Sequence, residues 1–112
     1  MATHRLIVFT KPIPGKEAEY NKWYDEVHLK EVLEVDGFVA AQRFAVADAQ
    51  IGGDSSAAEK YLAIYEIEAD SVEEALASLA GSADKMNMSD ALDTGSANAI
   101  AYSAIGERQV SK

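Results

Sequence analysis

At Asp36-Gly37 the spacing of the apolar residues changes from three and four to two, and this change constrains the fold more than any other feature of the chain. Before it, Tyr20, Trp23, Tyr24 and Val27 form an apolar stripe within a helix expected over residues 16–33, and Asp36-Gly37 supplies the stop. After it, Phe38, Ala40, Gln42, Phe44 and Val46 alternate with Val39, Ala41, Arg43 and Ala45, which is the period of a strand. The stripe through Val27 does not continue in phase to Leu29, Val32 and Leu33, so a bend is expected near His28 or Lys30.

The remaining elements follow by the same logic. Leu6, Ile7, Val8 and Phe9 stand together in residues 4–11, and Pro12, Pro14 and Gly15 close that first strand. Residues 61–68 alternate again and pair with residues 38–46 as a hairpin, with residues 47–56 as its small, polar tip. Ser71 and Glu74 form a capping box that opens a second helix, with Leu76 and Leu79 facing its core and Gly81-Ser82 breaking it. A further amphipathic piece is expected over residues 83–92 and the last strand over 97–105.

The resulting order, β-α-β-β-α-β, defines a ferredoxin-like α+β fold: a four-stranded antiparallel sheet with both helices on one face. Its second face is bare. Val39, Ala41, Leu62 and Ile64, or their neighbours of opposite parity, must lie there, and a second copy of the chain is the economical cover.

A length of 112 residues fits one domain, residues 1–112. The absence of cysteine removes disulfides, thiol nucleophiles, thiolate zinc and cysteine-held iron–sulfur clusters. A net charge of −9, with scattered lysines and arginines, argues against nucleic acid and against an anionic membrane surface as partners. No apolar run approaches the roughly 18 residues of a membrane span. The first ten residues suit a strand better than a signal peptide, so a cytoplasmic location is expected.

Taken together, that element order, the run Trp23-Tyr24-Asp25-Glu26-Val27-His28-Leu29, the turn Val35-Asp36-Gly37-Phe38 and the pair Arg43-Phe44 resemble the dimeric α/β-barrel superfamily, and within it the EthD-like proteins. A proline often precedes the glycine in such relatives, where this chain has Asp36. The resemblance implies a homodimer, two protomers packing sheet to sheet into a barrel, with a ligand pocket between each sheet and its helices. The superfamily holds polyketide cyclases, lactone isomerases, cofactor-free monooxygenases, haem-degrading enzymes, aldoxime dehydratases and stress proteins.

Within this frame His28 is the candidate general acid or base, since an imidazole exchanges protons near neutral pH, and the alternative is a structural role at the helix bend. Tyr24, one turn earlier, is the candidate partner that polarises a carbonyl. Trp23 and Phe38 are expected as aromatic wall or packing, and Glu31 as the carboxylate that orients His28. Arg43 is read either as a contact for an acidic substrate or as an ion-pair partner of Glu66 across the hairpin. Of Tyr61, Tyr65 and Tyr102, one is expected at the pocket, and Tyr65 is the choice.

No metal, haem or other cofactor is expected. Asp25 and His28 have helical i, i+3 spacing but lack companion ligands, and only His4 and His28 could be axial to a haem. The expected activity is acid/base chemistry on a small aromatic or polyketide-like carbonyl compound, by an isomerase, cyclase, dehydratase or cofactor-free monooxygenase. The alternative is a non-catalytic, ligand-binding or stress-associated dimer.

Overall fold

The computed structural model describes residues 2–54 and 58–112; Ser55 and Ser56, part of the expected hairpin tip, lie outside the described residues. The strands are β1 (Ala2–Pro12), β2 (Phe38–Ala45), β3 (Tyr61–Ala69) and β4 (Leu92–Ser103). They form one antiparallel sheet in the order β2-β3-β1-β4, so the two strands that lead into helices, β1 and β3, lie side by side at its centre. This is the expected ferredoxin-like fold.

The first helix solves its phase problem with one extra residue. α1 (Glu17–Trp23) runs into a π-helical turn, Tyr24–His28, and then into α2 (Leu29–Leu33). The Leu29 N–H donates to the Tyr24 carbonyl five residues back. The widened turn re-phases the buried face, so Tyr20 and Tyr24 before it and Val32 and Val35 after it all reach the core. The bend expected near His28 is this turn.

α3 (Val72–Ser82) begins as the capping residues predict, with the Glu74 N–H donating to the Ser71 hydroxyl at 3.2 Å. Ala75 is buried, and Leu76 and Leu79 pack against the core. Gly37 turns the chain into β2 with φ +92°, a conformation that a side chain would strain, and it packs beside Ala75 and Ala69.

Two expectations change. Residues 83–92 do not form a helix beyond one 3-10 turn, Ala83–Lys85. Polar turn formers take over, with the Ala91 N–H on the Ser89 hydroxyl and the Leu92 N–H on the Ser89 carbonyl, so β4 starts at Leu92, five residues earlier than the pattern suggests. In β2 the strict alternation fails at a bulge between Phe38 and Ala40. Phe38 therefore shares the helix-facing side with Ala41 and Arg43, whose partners on β3 are Ile67, Tyr65 and Ala63, while Val39 is exposed.

The core lies between helices and sheet: Leu6, Ala63, Tyr65 and Ile67 from the sheet meet Tyr20, Tyr24, Val32 and Ala75 from the helices. Leu62 and Ile64 fall on the opposite, open face, as their parity implies. Register places Ile100, Ile7, Ile64 and Gln42 in one row across it and Phe9, Leu62 and Phe44 in the next. Arg5 and Glu66 pair at 3.5 Å in a third row. The molecule is a slab of 42 × 40 × 23 Å, and its Cα radius of gyration of 15.2 Å exceeds the roughly 13 Å of a compact chain this long.

Candidate functional site

The π turn that keeps the buried face in phase also builds the site. A turn wider than an α-helical one brings residues five apart over each other, and Trp23 and His28 stack with ring centroids 4.7 Å apart at 22°. Tyr24 meets both rings edge-on, at 5.3 Å from Trp23 and 5.2 Å from His28. Tyr24 and His28 thus do share a flank of the helix, but the ring stacked on the imidazole is the indole.

The imidazole is largely enclosed. Its side chain is 16% exposed, and Nδ1 is buried without a hydrogen bond. Oε1 of Glu31 stands 3.9 Å away, also buried and unbonded, too far for a hydrogen bond to Nδ1. Burial pushes the His28 pKa below its ordinary value, and the Glu31 charge offsets this in part. The ring is therefore neutral at pH 7 and able to accept a proton.

The other Glu31 oxygen is occupied. Oε2 accepts from the Asn87 backbone N–H at 2.8 Å and from its Nδ2 at 3.0 Å. Trp23 Nε1–H in turn donates to the Asn87 carbonyl at 2.6 Å. The reading of the sequence missed Asn87 because residues 83–92 looked helical; the cluster Asn87, Ser89 and Asp90, all turn formers, was the available signal.

On the sheet side, Tyr65 and Phe38 pack edge to face at 6.4 Å, and both are core. Burial raises the Tyr24 and Tyr65 pKa values, so both remain neutral phenols that keep a proton to donate. Their hydroxyls lie near enough to perturb each other's ionisation, yet Tyr65 Oη is buried without a hydrogen bond. Tyr102, by contrast, is exposed, and Tyr61 donates to Glu17 at 2.5 Å.

Arg43 neither pairs with Glu66 nor stands free for an acidic substrate. Its guanidinium donates to Asp25 at 2.9 Å and to Asn21 at 2.8 Å, and lies 4.6 Å from the Tyr24 ring centroid and 5.4 Å from those of Tyr20 and Tyr61. Glu66 pairs with Arg5 instead, because Arg43 projects toward the helices and Glu66 to the open face.

The space between helix and sheet at Tyr24 is filled by side chains. A groove of about 540 Å³ lies on the other side of Glu31, lined by Val27, Lys30, Glu31, Val35, Met86 and Asn87 among others. Among the described residues, no three His, Cys, Asp or Glu side chains converge to hold a metal, and no helix is long and apolar enough to cross a membrane.

No protein-family model and no curated protein matches the sequence. Solved structures do match the fold. A candidate monooxygenase from Shewanella loihica PV-4 superposes with a TM-score of 0.59 at 16% identity, over 96% of this chain and 99% of that one. An EthD family protein from Bacillus halodurans C-125 gives 0.55 at 11%, over 97% and 100%. HapK from Hahella chejuensis gives 0.55 at 11%, over the whole of both chains. The chain shares the fold of these structures, an EthD family protein among them, in line with the resemblance in residues 23–44.

Proposed function

We propose that this chain is a homodimeric enzyme that performs acid/base chemistry, without a cofactor, on a small aromatic or polyketide-like carbonyl compound, with His28 as the base. One observation carries this reading: a neutral, mostly buried imidazole whose Nδ1 has no hydrogen-bond partner, facing a carboxylate oxygen that has none either. Leaving buried polar atoms unpaired costs about 1–3 kcal/mol each, and such groups concentrate where a fold is built to react or bind.

In the proposed step His28 takes the proton from a carbon next to the carbonyl, and Glu31 stabilises the imidazolium that forms. Tyr24, a neutral phenol, donates to the oxygen on which the electron pair settles, while the indole of Trp23 walls the ring on one side. A candidate monooxygenase among the fold's solved members is compatible with this chemistry, since cofactor-free oxygenation begins with the same deprotonation. The open face of the sheet supports the dimer. The rows of Ile100, Ile7 and Ile64 and of Phe9, Leu62 and Phe44 on the open face suit a sheet-to-sheet dimer of about 1,600 Å² total interface. Sedimentation at micromolar concentration tests this, and a stable monomer refutes it.

The experiment for the chemistry is a panel of aromatic ketones and lactones offered to wild type and His28→Ala. Turnover that disappears in the variant while binding persists supports the enzyme. One observation favours the second reading, a non-catalytic binding protein: Tyr24 is only 2% exposed, and its surroundings are filled. That reading predicts ligands that bind both proteins equally and are never converted.

A further inference from the structure

Asn87 lies outside the core, yet its polar groups are tied to both flanks of the imidazole. Its backbone N–H and Nδ2 hold one oxygen of Glu31, and its carbonyl accepts from the indole that is stacked on His28. With Oε2 held from the side of the 86–91 segment at 2.8 and 3.0 Å, Oε1 cannot close the 3.9 Å gap to Nδ1 without giving up those donors.

We propose that Asn87 is a positioning residue for His28, fixing the Glu31 carboxylate so that it faces the imidazole without bonding to it. The proposal rests on the reading of His28 as the reactive group and adds how its proton affinity is set. A carboxylate in direct hydrogen bond to the ring would hold the imidazolium; one held a little away steadies that charge when it forms and lets it go afterwards. Of the titratable groups near the ring, Glu31 acts on it from its own helix and Tyr24 from the turn before. Arg43 and Tyr65 reach Tyr24 rather than the imidazole, and Glu26, Lys30, Glu34 and Lys85 line the groove beyond Glu31.

The test is a proton NMR titration of His28 without any substrate. The chain has two histidines, so comparison with His4→Gln identifies the His28 signals. Asn87→Ala removes the Nδ2 donor and leaves the backbone N–H as the one hold of residue 87 on Oε2, so Glu31 turns more readily toward Nδ1 and the His28 midpoint should rise, by up to about one pH unit, the low end of the effect of a close opposite charge. Asn87→Asp, which repels Glu31 from the segment, should move it the same way and serves if the alanine variant folds poorly. In a Glu31→Gln background the Asn87→Ala effect should vanish, because Asn87 acts through that carboxylate. An unchanged midpoint in both Asn87 variants, or an equal shift with and without the Glu31 charge, overturns the proposal. Turnover in His28→Ala tests the catalytic reading separately, and neither result depends on the other.

Discussion

Arg43 and His28 both pack on Tyr24, one from the sheet and one from the following turn, and they differ in how their polar atoms are treated. The guanidinium has Asp25 and Asn21 as hydrogen-bond partners and three tyrosine rings around it. The imidazole has an unbonded Nδ1 opposite an unbonded carboxylate oxygen. Satisfied polar groups in a core fasten it, whereas an unsatisfied pair stores free energy that a proton or ligand can release. Charge alone therefore does not distinguish the proposed reactive side of Tyr24 from the structural side; satisfaction does.

Four variants and one condition set the two sides against each other. The largest expected effect is on the proposed turnover: His28→Ala should lower kcat by about 10²- to 10⁴-fold with the fold intact. Full activity in that variant places His28 on the structural side with Arg43. Next, Arg43→Ala should cost about 2–4 kcal/mol in urea unfolding, through two charge-assisted hydrogen bonds and the packing against the tyrosines. A loss below about 0.5 kcal/mol would erase the contrast from the other side.

The tyrosines repeat the comparison in smaller form. Tyr20 shares a hydrogen bond with Thr10 at 2.5 Å, both residues being buried, so Tyr20→Phe should cost about 1 kcal/mol. Tyr65→Phe removes a hydroxyl that has only the Tyr24 hydroxyl near it, without the geometry of a good hydrogen bond, and should be neutral or stabilising by up to about 1 kcal/mol. Equal costs for the two would show that the Tyr65 hydroxyl is satisfied.

The smallest expected effect is the dependence of stability on pH. The folded state lowers the His28 pKa below its unfolded value, so the unfolded chain binds more protons in that interval. The contribution of the neutral ring is thus complete above about pH 6.5 and is lost as the pH falls toward the folded midpoint. Urea unfolding of wild type and His28→Gln across this range checks it: the difference between them should change there, and a constant difference contradicts the depressed pKa.

Much of this was legible in the sequence, since period and turn chemistry determine which faces are buried. The spacing change at Asp36-Gly37, the Ser71 cap and the two alternating strands led directly to the element order and the fold class found. The helix phase break near His28 was visible too, but its resolution as a π turn, and with it the stack of Trp23 on His28, depends on packing against the sheet. The bulge after Phe38 escaped because an extra residue leaves no mark on composition, only on pairing. Of the candidate site, His28, Tyr24, Trp23 and Glu31 do come together. Arg43, Phe38 and Tyr65 lie on the sheet side, where Asp25 and Asn21 engage Arg43. Asn87 was hidden because a long-range contact from a loop has no periodicity to betray it.

A neutral His28 stacked on the chain's one tryptophan can be tested without knowing any substrate. Protonation of an imidazole in contact with an indole quenches its emission, so the fluorescence of Trp23 reports the state of His28. Emission should fall as the pH is lowered, with a midpoint below the free-imidazole value of about 6.5, and the transition should disappear in His28→Gln. Emission with no transition that depends on His28 at any pH where the chain stays folded, or one with a midpoint above about 6.5, would contradict a neutral base held beside Glu31.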